Sequence, residues 1–367
     1  MITVAVHFVN LEVMNVEITS GAKKKSFFQD IKKRVFNVLR LTDTATIKLY
    51  TGYGNKTHCF LYGHVLSFGP LPRKKYRDLF WVNALSLLRL FMVQPKAGAL
   101  LKFTWKGHTY TTHTERDGFF KFEWEPGELL AAGDHEVEVI LMDRTHKTSL
   151  ASASSRIIIP HYNQYAFISD IDDTFLISHS SNLRKRLFVL LTENARSRDP
   201  FEGVVNHYQL LSKAGAAENT HNSFFYVSSS EWNLYDYIRE FTAANKLPDA
   251  VYLLSQLKSF RQVFKTGQNN HKTKLMRIAR ILEAYPEQRF ILLGDDSQED
   301  PFIYASIVEH FNDQISCIYI RRVSKTAKPA VEERLRAIEA GGTICCYFKH
   351  SSEAVAHSKM IGLITHA

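Results

Sequence analysis

Residues 3–19 alternate apolar and polar positions loosely, with Val4, Val6 and Phe8 followed by Val13, Val16 and Ile18, and predict one or two strands. The period then changes. From Lys25 to Arg40 the apolar residues Phe28, Ile31, Val35, Val38 and Leu39 recur at steps of three and four, with Lys32, Lys33 and Arg34 between them, which predicts a basic amphipathic helix near residues 25–40. Short strand-like runs follow at Thr46–Tyr50, Leu100–Trp105, Phe119–Trp124 and Glu136–Leu141, parted by turn signals such as Gly52-Tyr53-Gly54 and Asp117-Gly118. This stretch reads as an all-β, sandwich-like unit.

After about residue 155 the rhythm is strand then helix, repeated. Apolar runs at Tyr165–Ser169, Ser223–Val227, Ala250–Leu254, Arg289–Leu293 and Ile315–Ile320 alternate with helical patterns at Trp232–Asn245, Thr273–Tyr285 and Phe302–Phe311. Such alternation predicts a parallel sheet covered by helices on both faces, with ligands bound at the carboxyl ends of the strands. The expected division is therefore 1–154, β-rich, and 155–367, α/β.

Composition changes the picture little. Hydrophobic residues make up 45% of the 367 positions and charged residues 23%, so disordered and fibrous classes are excluded. The formal charge of +9 is more informative, because the first 100 residues hold 15 Lys and Arg against 5 Asp and Glu while the rest is near balance. The surplus fits a solvated face or a surface that docks on an anionic membrane. The four cysteines have no metal-ligand spacing and read as reduced packing residues. Without a basic n-region before the apolar start, and without an apolar run long enough to span a bilayer, the expected location is cytoplasmic, with peripheral membrane association through the basic front. No helix-turn-helix, zinc-finger or RNA-recognition signature is present, so no nucleic acid is expected as partner.

The chemistry-bearing residues lie just past the apolar runs. The first run ends Ser169-Asp170-Ile171-Asp172-Asp173-Thr174, three carboxylates at a strand tip that repel one another unless a cation neutralises them. The second is followed by Ser228-Ser229-Ser230, hydroxyls able to donate to a phosphate or to cap the next helix. The fourth ends in Gly294-Asp295-Asp296-Ser297-Gln298-Glu299-Asp300, of the form G-D-x-x-x-x-D, with Asp300 before Pro301 also suited to a helix start. His271-Lys272-Thr273-Lys274 opens an amphipathic helix between the acidic clusters.

Taken in order, D-x-D-x-T, a strand-end serine, a helix-start lysine and G-D-x-x-x-x-D resemble the four motifs of the haloacid dehalogenase (HAD) superfamily of phosphohydrolases. The strings around Asp170, Ser228 and Asp295 resemble more narrowly the actin-patch phosphatidate phosphatase catalytic-domain family, over roughly residues 155–365. That resemblance implies a HAD-like Rossmannoid sheet and a Mg²⁺-dependent phosphatase working through an aspartyl-phosphate, with phosphatidate or another phosphomonoester as substrate. It implies Asp170 as nucleophile and Asp172 as acid and base. Mg²⁺ would sit on Asp170, Asp295 and the backbone carbonyl of Asp172. Ser228, Thr174 and a lysine, Lys274 or Lys272, would bind the phosphoryl group, with Asp173 and Asp300 orienting the metal's waters. Asp296, which replaces the family's usual serine, would add charge near the metal.

The 57 residues between Asp170 and Ser228 leave room for a flap and a helical stretch (Leu183–Glu193, Phe201–Lys213) but not for a large cap domain, so an open site is expected. Arg184-Lys185-Arg186 beside Leu187-Phe188 fits a membrane interface. The rival readings are a phosphatase of a soluble phosphomonoester and a non-catalytic lipid- or protein-binding module; the intact Asp170 and Asp172 argue against the latter.

Overall fold

A computed structural model describes residues 41–42, 44–70, 90, 93–143, 145, 147–172, 174, 200–255, 270–297 and 299–364. The chain falls into two units, Met1–Leu41 and Thr42–Ala367, and the architecture below is that of the second. The helix expected near residues 25–40, the front strands, the stretch Leu183–Glu193 with its basic cluster, and Asp173 lie outside the described residues.

Residues 44–159 form a strand-rich layer. Its strands are β1 (Thr46–Leu49), β2 (Gly52–Gly54), β3 (Cys59–Pro70), β4 (Leu100–Trp105), β5 (His108–His113), β6 (Phe119–Trp124), β7 (Gly133–Met142) and β8 (Ser149–Ile159). All are joined by hydrogen bonding into one network, antiparallel except for the parallel contact of β8 with β2. Alternation explains which face is buried: in β6, Phe120, Phe122 and Trp124 point inward while Lys121 and Glu123 face water. With Leu101, Phe103, Val139 and Leu141 they build one aromatic-rich core.

Past residue 165 come β9 (Tyr165–Ser169), α1 (Val204–Ser212), β10 (Ser223–Glu231), α2 (Tyr235–Ala244), β11 (Ala250–Ser255), α3 (Asn270–Ala284), β12 (Arg289–Asp295), α4 (Asp300–Phe311), β13 (Ile315–Arg321), α5 (Pro329–Ala340), β14 (Ile344–Phe348) and α6 (Ser351–Met360). The six strands are all parallel, in the order β11-β10-β9-β12-β13-β14. Their side chains split by parity. Phe167, Phe224, Tyr226, Ile291 and Leu293 face the layer made by α1, α2 and α6, whereas Ile168, Phe225, Val227, Phe290 and Leu292 face α3, α4 and α5. Both faces are thereby covered, as near-continuous apolar strands require.

The strand-rich layer packs directly on this α/β body. Tyr50 stacks on Trp232 at a centroid distance of 3.9 Å, and Tyr53 joins the opposite core through Phe225 and Tyr285. Asn55 donates to the Ala284 carbonyl, and Tyr285 to that of Gly54, both sealing the contact with buried polar bonds.

Candidate metal and active centre

The strand order places a switch point between β9 and β12, whose chain connections run to opposite sides of the sheet. A crevice opens there at the carboxyl ends. Asp170 follows the last residue of β9 and Asp295 closes β12, so two carboxylates reach the crevice by topology alone. The Asp170 amide donates to the Leu293 carbonyl at 2.8 Å and holds the turn after β9 against β12.

Helix α3 supplies the cation. Lys274 lies in register with Ile278, Ile281 and Leu282, the buried face of the helix, so its ammonium is carried into the interior rather than to water. Its Nζ is 2.8 Å from Asp170 Oδ1 and donates also to Asp300 Oδ1. Lys272 lies on the same helix two residues earlier, a turn of about 200° away, and its side chain is outside the described residues.

Asp300, at the start of α4, folds back on the strand end, where its Oδ2 accepts from the Asp295 amide at 3.3 Å. That close approach is what Gly294 permits: a Cβ there would lie 2.6 Å from Asp300 Oδ2 and 2.9 Å from Tyr304 Cε2. Asp295 in turn accepts from Thr174 Oγ1 on Oδ2 (3.1 Å) and from the Ser297 amide on Oδ1 (2.5 Å).

Asp172 stands on the other side of Asp170. Its Oδ2 accepts from Ser228 Oγ at 3.0 Å and Ser230 Oγ at 2.5 Å, and Ser228 Oγ further accepts from the Ser230 amide. The pairing of β10 with β11 is irregular between Val227 and Glu231, just where these hydroxyls turn toward Asp172. Ser228 is thus oriented on the acid in this structure. Ser230 joins it, a role the Ser-x-Ser spacing carried in plain sight. Half-buried Arg277, three residues after Lys274, donates to the carbonyls of Ser228 and Leu253 and ties down both strand ends.

Asp296 corrects an expectation. Its carboxylate accepts from the Val323 amide, Ser324 Oγ and Tyr347 Oη at 2.7–2.8 Å, which directs it into the loop after β13 and away from the acidic cluster. The extra charge is spent on holding that loop.

Asp170, Asp295 and Asp300 each offer an oxygen within 4.8 Å of the others, and all three are buried. Burial pushes the Asp170 carboxyl well above the usual carboxylate range; Lys274 opposes this, while Asp300, Asp295 and Asp172 reinforce it. Burial, followed by the charge of Asp300, raises Asp295 to about 7. Burial works against the Lys274 ammonium, but Asp170 and Asp300 outweigh it and hold the side chain protonated. Three acids against one lysine leave surplus negative charge. The second oxygen of Asp170, Oδ2, is buried and has no hydrogen-bond partner among the described residues. An all-oxygen, acid-rich cluster with an unsatisfied carboxylate oxygen fits a hard divalent cation such as Mg²⁺.

Among the described residues no helix is long and apolar enough to cross a membrane. Comparison with known proteins points to the same region as the geometry. One relative is phosphatidate phosphatase APP1 of Saccharomyces cerevisiae, 30% identical over 159 residues, 43% of this chain and 26% of that protein. Another is an uncharacterized protein of Schizosaccharomyces pombe, 23% identical over 190 residues, 51% of this chain and 30% of that protein. The chain therefore spans little more than a quarter of the length of the curated relatives it matches. Among solved structures, a carbohydrate acetylesterase from Xanthomonas citri aligns over 87% of this chain and 74% of its own at 9% identity and a TM-score of 0.32. Residues 165–322, which carry Asp170, Ser228, Lys274 and Asp295, match the family model described as the catalytic domain of phosphatidate phosphatase APP1, and over that region the chain resembles this family.

Proposed function

We propose that this chain is a phosphoric monoester hydrolase of the phosphatidate phosphatase type, releasing phosphate from phosphatidate through an aspartyl-phosphate on Asp170. The observation that carries the reading is the Asp170 carboxylate itself, clustered with Asp295 and Asp300: one oxygen is fixed by Lys274 and the other, Oδ2, is buried and has no partner among the described residues. A nucleophile needs an oxygen that no donor occupies, set in a fixed direction.

Asp170, Asp295 and Asp300, with the backbone carbonyl of Asp172, would hold Mg²⁺. Bound there, the ion neutralises charge on the carboxylates and on the phosphoryl oxygens, whose mutual repulsion makes uncatalysed attack slow. Asp170 attacks phosphorus and the ester oxygen departs with a proton from Asp172. Water then attacks the same phosphorus, Asp172 takes its proton, and Asp170 is released as a carboxylate with inorganic phosphate. Ser228 and Ser230 hold Asp172 in place for both transfers. Lys274 keeps Asp170 aligned and faces the incoming phosphoryl group, and Thr174 steadies Asp295.

A phosphate-release assay with Mg²⁺ tests the reading. Phosphatidate vesicles and a panel of soluble phosphomonoesters are compared by initial rate. Faster turnover of the vesicles supports the lipid substrate. Turnover confined to the soluble esters keeps the chemistry and replaces the substrate, and no release from any of them removes the enzyme reading.

A further inference from the structure

Arg321 closes β13 and pairs in register with Asp295, its side chain only 3% exposed. A buried guanidinium normally sits on a carboxylate, because an isolated charge in the interior is costly. Here, among the described residues, no carboxylate lies within ion-pair distance of it. Its Nε donates to the Thr174 carbonyl at 2.9 Å and one terminal nitrogen to Ser351 Oγ at 2.9 Å. The rings of Phe201 and Phe348 lie against it, with centroids 4.7 and 4.9 Å from the guanidinium carbon. Its backbone carbonyl receives the amide of Asp296. The side chain is therefore pinned from α6, from the turn before α1 and from β14, while its donor reaches the residue that orients Asp295.

The connection is continuous. Arg321 fixes the Thr174 backbone, and Thr174 Oγ1 donates to Asp295 Oδ2. Burial lowers the Arg321 pKa to about 10, opposed by the fields of Tyr208 and Asp295.

We propose that Arg321 is a positioning residue for the cation site: through Thr174 it sets the orientation of Asp295. The proposal rests on the cation-dependent phosphatase reading. A group acting one residue behind a ligand changes cation affinity by about 10- to 100-fold when removed. Lysine at this position keeps the charge and loses the planar fork that reaches Thr174 and Ser351 together.

The test is calorimetric titration of Mg²⁺ into substrate-free wild type, Arg321→Met, Arg321→Lys, Thr174→Val and the Met/Val double variant, alongside the Mg²⁺ dependence of phosphate release. The expected result is about tenfold weaker Mg²⁺ binding in each single Met or Val variant. The double variant should be no weaker than the worse single, because both substitutions cut one connection. In the Arg321 variants excess Mg²⁺ should restore the rate with KM for phosphatidate unchanged, a rescue that a general loss of packing would not show. Should the Met variant fail to fold, Arg321→Lys combined with Thr174→Val takes its place, with intermediate affinity expected for the lysine. Wild-type affinity in a folded Arg321 variant, or strictly additive losses with Thr174→Val, overturns the proposal. Wild type that binds no Mg²⁺ overturns the cation-site reading itself.

Discussion

Lys274 Nζ lies 2.8 Å from Asp170 Oδ1, both side chains almost fully excluded from solvent, and the same ammonium donates to Asp300. One lysine thus serves two acids, and Asp295 adds a third carboxylate to the same space. Three buried acids around one ammonium are compatible with a cation site, and their crowding costs stability in the cation-free chain.

Removing Lys274 should be severe. Lys274→Met leaves Asp170 and Asp300 buried without their ammonium, and breaking such a pair costs about 3–5 kcal/mol. Denaturant unfolding without divalent ions is expected to show that loss, with part of it recovered in Mg²⁺. An unchanged midpoint would contradict the geometry.

Asp170→Asn should behave in the opposite way. It removes a buried charge that its neighbours repel while leaving Lys274 the Asp300 carboxylate, so the cation-free melting temperature should match or exceed wild type. Phosphate release is expected to fall by at least about 10⁴-fold, the scale of losing a nucleophile. Differential scanning fluorimetry and a phosphate assay on one preparation measure both.

The serine pair on Asp172 invites a quieter experiment. Ser228→Ala and Ser230→Ala each remove one hydroxyl from Asp172 Oδ2, and each should lower kcat by about 10- to 100-fold, a part of the roughly 10²- to 10⁴-fold that a positioned acid–base group contributes. KM should change less for Ser230→Ala than for Ser228→Ala if Ser228 also donates to the phosphoryl group, the role its motif implies. Steady-state kinetics of both variants decides it.

Much of the centre was legible in the sequence because its residues follow apolar runs. Tyr165–Ser169 and Leu100–Trp105 have the expected bounds, and Asp170 and Asp295 fall at strand ends for that reason. Lys274 reaches Asp170 because it shares the buried face of α3 with Ile278 and Ile281, while the side chain of Lys272 lies outside the described residues. Other features were hidden. Ser149–Ile159 is a long strand whose first half, rich in serine and alanine, offers no apolar run to mark it, and its pairing with β7 is what holds it extended. Helices α5 and α6 and strand β14 went unforeseen, since short or charge-rich segments take their structure from packing. The direction of Asp296 depends on Tyr347, 51 residues away, which no local pattern encodes.

Acid should destabilise the fold through two buried histidines. Burial lowers both His64 and His207 to about 3, against 6.5 for the free ring. His64 shares a hydrogen bond with Tyr50, and His207 faces Ser358, Tyr319, Tyr208 and the charges of Arg321 and His357. The sign follows from proton counting. Between pH 6.5 and 3 the unfolded chain binds the protons and the folded one does not, so the stability these rings contribute is complete above about pH 6.5 and is lost as pH falls toward 3. Each contributes a slope of about 1.4 kcal/mol per pH unit in that window. His207→Gln and His64→Gln should each flatten the fall in unfolding free energy between pH 6 and 4, and an unaltered slope in both would remove these rings as the cause.

The most direct test of the central claim is to trap the covalent intermediate. Wild type mixed with phosphatidate and Mg²⁺, quenched in acid and reduced with borohydride, should carry homoserine at position 170 by peptide mass spectrometry, since reduction converts an aspartyl-phosphate to that residue. The modification should be absent without substrate and absent in Asp170→Asn. Reduction at a different residue, or an Asp170→Asn protein that releases phosphate at the wild-type rate, would contradict the account.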